Sequence, residues 1–159
     1  MARKIRMGWF SFSCCEDNTV LFAEILNDNF FDVQEKFEIV HAKVLQAKNR
    51  WEEMDVAFVE GAIAHPHDEK TLKKIRSLSK TVVAIGSCAC TGMPSAQRNA
   101  FDEQTTHEIR FLKDKFGLLD KVHPLKDIVK VDYEVNGCPM DEQKFLEALG
   151  TIIKLYGGK

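Results

Sequence analysis

The stretch TVVAIGS, residues 81–87, decides the fold class of this chain. It is a continuous apolar run with several β-branched residues, a pattern that predicts a strand buried on both faces of a parallel sheet. On either side of this run, four more segments have strand patterns: 4–12, 37–45, 55–63 and 127–135. Four segments have the apolar stripe of a helix: one that starts at Asp17, then 67–80, 106–117 and 141–158. Because strands and helices alternate, we predict a single α/β domain over residues 1–159, built on a mostly parallel sheet.

The composition limits the classes of function. Hydrophobic residues make up 45% of the 159 residues, charged residues make up 29%, and the net charge is -2. This balance is typical of a globular domain and gives no reason to expect a nucleic-acid partner or an anionic membrane surface. The apolar runs are shorter than the roughly 20 residues that a membrane-spanning helix needs. The first residues, MARKIRMGWF, lack the apolar core of a secretory signal, so we expect a cytoplasmic protein without membrane insertion.

Five cysteines follow the ends of predicted strands. Cys14 and Cys15 follow the first strand, Cys88 and Cys90 follow the strand at 81–87, and Cys138 follows the strand at 127–135. A disulfide framework belongs to short secreted chains, so a metal or catalytic role is the better interpretation here. The carboxyl ends of parallel strands meet at one edge of the sheet, where ligands bind in this architecture. The cysteines are therefore predicted to share one site, with partners gathered from distant parts of the chain.

Thiolates from three loops suit either structural zinc or an iron–sulfur cluster. Structural zinc sites commonly use paired C-x₂₋₄-C segments, which this chain lacks. Cys138 precedes Pro139, as cluster ligands often precede proline. Glycines at 86, 92 and 137 allow the backbone to approach the inorganic sulfides. These features favour a cluster, and zinc stays the alternative.

The sequence also resembles a known protein family. The motifs SCCE, DVAFVEGAI, VVAIGSCACTG and VDYEVNGCP occur in the order seen in the small subunits of [NiFe]-hydrogenases and in the homologous 20 kDa subunit of respiratory NADH:quinone oxidoreductase. The resemblance extends from about Gly8 to Phe145. It implies a flavodoxin-like three-layer domain that holds a proximal [4Fe-4S] cluster facing the active site of a large subunit. Carried over by position, the implied cluster ligands are Cys14, Cys15, Cys88 and Cys138.

The resemblance also implies a function. The chain is expected to be the electron-transfer subunit of an oxidoreductase, without catalysis of its own, paired with a large catalytic [NiFe] subunit and with further redox subunits of the flavin, NAD(P) or ferredoxin type. The stretch TGMPSAQRN resembles soluble, cytoplasmic hydrogenases, whereas the adjacent Cys14 and Cys15 resemble the quinone-reductase subunit. A single-cluster hydrogenase subunit is therefore the expectation, and a subunit of a quinone-reductase-like complex is the alternative.

Other residues allow two interpretations each. Glu60, at the end of a strand, either surrounds the cluster or is an ordinary carboxylate at a helix start. Cys90 is either a swapped ligand or a buried thiol beside the cluster, and the second is the expectation. Glu16 follows the first ligands and is either a proton relay or a helix cap. Apolar side chains around Trp9, Phe10, Phe12 and Met93 belong either to a partner surface or to the core.

A flavin-binding carrier is a further alternative from another class. Such a carrier needs a loop rich in Ser, Thr or Gly after its first strand to hold the flavin phosphate. This chain has SCCED at that position, and acidic groups beside a phosphate are unfavourable.

Overall fold

A computed structural model describes residues 3–157. Its strands form one five-stranded sheet in which every pairing is parallel, in the order β2-β1-β3-β4-β5. The strands are β1 (Ile5–Ser11), β2 (Phe37–Ala42), β3 (Met54–Glu60), β4 (Ser79–Ile85) and β5 (Tyr133–Val135). The helices are α1 (Asp17–Asp28), α2 (Phe30–Lys36), α3 (Pro66–Leu78), α4 (Gly86–Thr91), α5 (Glu103–Phe116) and α6 (Glu142–Tyr156). The predicted α/β, flavodoxin-like architecture is confirmed.

Helices cover both faces of the sheet and make three layers. On one face, Phe22 and Ile25 of α1 and Phe145 and Ile152 of α6 pack against the side chains of β1, β3 and β4. On the other face, α3 and α4 pack against the alternate side chains of the same strands. All seven residues of β3 are buried, as expected for a central parallel strand.

Aromatic rings fill the core on the α1 and α6 face. Trp9 and Phe22 stack with ring centroids 4.1 Å apart, and the fully buried Phe145 contacts both rings edge-on. Phe10 is also buried, on the opposite face of the sheet. The interpretation of Trp9 and Phe10 as core residues is therefore correct, and they do not belong to a partner surface. Met93 is 43% exposed.

A buried carboxylate anchors the amino-terminal edge of the sheet. Asp55 accepts hydrogen bonds from the side chains of Arg3 and Lys80 and from the backbone N–H of Arg6. Burial alone would raise the pKa of Asp55, but these three donors outweigh it and hold that pKa below its usual value. The cluster links β1, β3 and β4 at the edge opposite to the cysteines.

One predicted strand is too long, and two helices were not predicted. The strand expected at 127–135 is limited to Tyr133–Val135, because Leu125–Asp127 form a 3₁₀ turn and Asp132 uses its carboxylate to accept from the backbone N–H of Val82. The two additional helices are α2 and α4. None of the helices within residues 3–157 is both long and apolar enough to cross a membrane.

Candidate metal centre

Four cysteines lie at the carboxyl edge of the sheet, and we call Cys14, Cys15, Cys88 and Cys138 the thiol site. Cys14 and Cys15 lie in the loop between β1 and α1, Cys88 lies on α4, and Cys138 lies between β5 and α6. Cys88 is 7% exposed, Cys14 is half-buried, and Cys15 and Cys138 are exposed. The site is therefore buried on one side and open to the surface on the other.

The thiols are close enough to affect one another. Burial, the charge of Glu60 and the neighbouring Cys88 and Cys15 together raise the pKa of Cys14 to about 12, although a backbone hydrogen bond at Glu16 lowers it. Burial also raises the pKa of Cys88, with contributions from Cys15, Cys138 and Glu60. Four thiolates and a carboxylate repel one another, so a full set of thiolates requires positive charge among them.

Backbone hydrogen bonds connect the loops that carry the thiols. Ser13 and Ala62 exchange two such bonds, of 3.2 and 3.0 Å, which connects the loop after β1 to the loop after β3. The backbone N–H of Ser87, at the start of α4, donates to the carbonyl of Gly137 at 2.7 Å. Each thiol-bearing loop is thus held by a neighbouring strand end.

Glycine is required at two of these positions. Gly86 and Gly137 both have positive φ, at 79° and 128°, which L side chains rarely adopt. A Cβ at Gly137 would lie 2.5 Å from the carbonyl oxygen of Pro139. The backbone next to Cys88 and Cys138 therefore has no room for a side chain, because Asn18 and the Pro139–Asp141 turn occupy the space.

Glu60 is fully buried beside the thiol site, at the end of β3. Its Oε1 accepts hydrogen bonds from the hydroxyls of Ser11, at 2.7 Å, and Thr19, and Thr19 in turn accepts from Trp9 Nε1. Among residues 3–157, its Oε2 is buried and has no hydrogen-bond partner. Burying a carboxylate oxygen without a partner costs free energy, so a hydrogen-bond donor or a positive charge near Oε2 would stabilise the site.

Glu16 occupies the N-cap position of α1. Its backbone is left-handed, with φ 64°, and its exposed side chain makes no capping hydrogen bond. The helix-cap interpretation is therefore correct for its backbone position and wrong for its carboxylate. The turn at Glu16 starts α1 directly after Cys15, so the partial positive charge of the helix terminus lies next to the thiol site.

Cys90 lies apart from the thiol site. It is buried, its Sγ donates towards the carbonyl of Ala84 at 3.7 Å, and it packs among core residues on the α3 and α4 face. Burial raises the pKa of Cys90 to about 12, and the charged groups that affect it are Glu134 and Lys126 rather than other thiols. The prediction that Cys90 surrounds the cluster has no supporting contact among the described residues.

The residues present fit an iron–sulfur cluster. Four thiols are the donor set that such clusters use, and positive iron would balance their mutual repulsion and the charge of Glu60. Within residues 3–157, no three His, Cys, Asp or Glu side chains stand together as ligands of one metal ion. A cluster does not need that arrangement, because each thiolate binds a different iron.

Ser11 and Thr19 were not singled out from the sequence, and Asn18 was expected only near the start of a helix. Ser11 and Thr19 hold Glu60, and Asn18 contacts the segments that carry Cys88 and Cys138. Asn18 lies four and seven residues before the buried Phe22 and Ile25, on the same face of α1. A polar residue on that apolar face is the signal in the sequence.

Comparison with known proteins identifies the family. The family described as NADH ubiquinone oxidoreductase, 20 Kd subunit, matches residues 15–152. The chain belongs to this family. The match includes three of the four thiols of the site and confirms the resemblance found in the sequence.

Individual relatives are hydrogenase subunits. The chain is 31% identical over 149 residues to the gamma subunit of coenzyme F420 hydrogenase of Methanosarcina barkeri, covering 87% of this chain and 50% of that one. It is 23% identical over 166 residues to the delta subunit of the NAD-reducing hydrogenase HoxS of Cupriavidus necator, covering 94% and 79%. A chain in the crystal structure of an NAD+-reducing [NiFe]-hydrogenase in the H2-reduced state matches with TM-score 0.80 and 26% identity, covering 96% of this chain and 93% of that one. The chain spans about half the length of most of the curated hydrogenase relatives that it matches.

Proposed function

We propose that this chain is the electron-transfer small subunit of a cytoplasmic [NiFe]-hydrogenase complex and carries its proximal [4Fe-4S] cluster. The observation that carries the proposal is the thiol site: four thiols from three segments lie beside a buried carboxylate, and the pKa values of Cys14 and Cys88 are raised in part by the neighbouring thiols. The hydrogenase relatives and the solved hydrogenase structure support the choice of complex.

In this proposal the chain binds and insulates the cofactor. Cys14, Cys15, Cys88 and Cys138 hold the iron, and the cluster supplies one-electron transfer. Gly86 and Gly137 allow Asn18 and Pro139 to approach the backbone beside the ligands, and Cys88, Ala62 and Val122 exclude water from the inner side of the cluster. The family resemblance implies no catalysis by this subunit, so bond-making is assigned to the large catalytic subunit.

Hydrogen turnover also takes up or releases protons, and we propose that one route passes Glu16. Glu16 is exposed beside the thiol site, which supports its assignment as a proton relay towards the partner subunit. The electron partner is proposed to be a further redox subunit, of the flavin, NAD(P) or ferredoxin type.

The proposal is tested on the native complex, purified without oxygen. We expect four iron atoms per chain, the broad visible absorption of a cluster, a larger companion subunit that contains nickel, and dye reduction that depends on hydrogen. Sharp flavin bands, or zinc without iron, would instead support the flavin or zinc alternatives.

A quinone-reductase-like complex is the second candidate. The adjacent Cys14 and Cys15 and the description of the matching family favour it. Iron without nickel, together with no hydrogen-dependent reduction, would assign the chain to that branch.

A further inference from the structure

Asn18 lies in the first turn of α1, directly after the segment that carries Cys14 and Cys15. Its side chain contacts the two segments that carry Cys88 and Cys138. Its side chain is buried, and its Oδ1 accepts a hydrogen bond of 2.8 Å from the backbone N–H of Met140, two residues after Cys138. Its carboxamide also lies against Gly86, two residues before Cys88, because a Cβ built on Gly86 would be 2.4 Å from Nδ2. One side chain therefore spans all three segments of the thiol site.

The hydrogen bond to Met140 fixes the orientation of the carboxamide. The backbone N–H of Met140 is a donor, so the atom that faces it has to be the oxygen. The Nδ2 group then carries two hydrogens and lies beside Gly86, two residues before Cys88. Among residues 3–157 it makes no side-chain hydrogen bond, so this donor is free to reach an acceptor held between the thiol-bearing segments.

We infer that Asn18 is a positioning residue of the thiol site: its Oδ1 and its contact with Gly86 hold the three segments at fixed separation, and its Nδ2 donates a hydrogen bond to a sulfur of the bound cluster. This inference rests on the proposed [4Fe-4S] cluster. Hydrogen bonds to cluster sulfurs stabilise the added negative charge of the reduced form and therefore raise the reduction potential.

Two substitutions separate the roles of the two carboxamide atoms. Asn18→Asp keeps an oxygen acceptor for Met140 and replaces the amide donor with a second oxygen. Asn18→Ala removes both functions. Asn27→Asp makes the same chemical change on the exposed surface of the same helix and serves as the matched control.

The measurements are iron per chain, the g-values of the reduced cluster and its midpoint potential, on complexes purified without oxygen. We expect Asn18→Ala to lose at least half of its iron. We expect Asn18→Asp to keep its iron and to have altered g-values. Its midpoint potential should be lower by about 59 mV, which for a one-electron couple is a tenfold smaller equilibrium constant for reduction. Asn27→Asp should match the wild type.

Wild-type iron content in Asn18→Ala, or wild-type g-values and potential in Asn18→Asp, would overturn the inference and leave the proposed function intact. A wild-type chain that never holds iron would overturn the proposed function and this inference with it. Because Asn18→Asp retains the acceptor for Met140, its result stands even where Asn18→Ala fails to fold.

Discussion

Cys88 and Cys90 differ in environment because α4 is a helix. Side chains two residues apart on a helix point to nearly opposite sides, so one cysteine faces the carboxyl edge and the other faces the core. In an extended loop the two would share a side, and both would be candidates for the same metal. The helix that separates them is only six residues long.

The cysteines give a direct prediction at this scale. Replacing Cys14, Cys15, Cys88 or Cys138 by Ser should remove most of the iron, because each substitution deletes one of the four proposed ligands. Cys90→Ser should retain the wild-type iron content, because its environment is the core. Iron per chain, measured by elemental analysis, checks the prediction. Full retention in Cys138→Ser, or loss in Cys90→Ser alone, would contradict it.

The sequence predicts the edge of the sheet but not the contacts within the site. The positions of Cys14, Cys88 and Cys138 after strands were predictable, because apolar runs reveal parallel strands. The bond between Asn18 and Met140 joins residues far apart in the chain, and only the folded sheet brings them together. The same holds for Ser11, Thr19 and Glu60.

At the scale of elements, short segments are where the predictions from sequence are wrong. The residues Ile128, Val129 and Val131 gave the segment 127–135 the pattern of a strand, but they pack against the core from an irregular connection. Asp132 bonds to Val82 and Arg76 with its side chain and so replaces part of the expected ladder. A hydrogen bond made by a side chain leaves no periodic pattern in the sequence, so it could not be predicted.

The packing of α6 gives a stability prediction. Phe145→Ala should lower the free energy of unfolding by about 3–5 kcal/mol, because the ring is fully buried against Trp9, Phe22 and Phe58. Leu146→Ala, at a neighbouring position that is 43% exposed, should change it by no more than about 0.5 kcal/mol. Urea denaturation of both variants checks this. Equal losses would mean that α6 packs differently.

The opposite edge of the sheet gives a pH prediction. The folded-state pKa of Asp55 is lowered, so its contribution to stability is present above the unfolded pKa of about 3.9 and is lost as the pH falls through the folded value. Asp55→Asn should therefore be less stable than the wild type at pH 7, by about 1–3 kcal/mol, and the difference should shrink below about pH 4.

Denaturation of both proteins at a series of pH values measures this difference. Asp28→Asn, which removes an exposed carboxylate, is the control and should follow the wild type. A difference between Asp55→Asn and the wild type that stays constant down to about pH 2 would contradict the assignment.

At the scale of the whole molecule, apolar surface is left beside the thiol site and on α5. Met93 is 43% exposed, and α5 has no buried residue, although Phe111, Leu112 and Phe116 are apolar. The proposed function places the large subunit against the thiol-bearing loops. The organisation of residues 1–159 as one domain stays a prediction.

The partner surface is tested at Met93. Met93→Asp should reduce the amount of large subunit that co-purifies by roughly tenfold or more, because a charge would be buried at an apolar contact. Leu155→Asp is the control: Leu155 is similarly exposed but lies at the end of α6 that reaches the start of β4, at the opposite edge. Undiminished co-purification with Met93→Asp would exclude this surface.

The edge position of β5 also bears on how the protein is made. Cys14 and Cys15 follow β1, whereas Cys138 follows β5, the shortest of the five strands in residues 3–157, which pairs with β4. While residues 89–137 are being synthesised, three of the four thiols are present without the fourth. Under the proposed function, the complete ligand set exists only after β5 has joined the sheet, so we expect late insertion of the cluster and early cysteines that stay reduced until then.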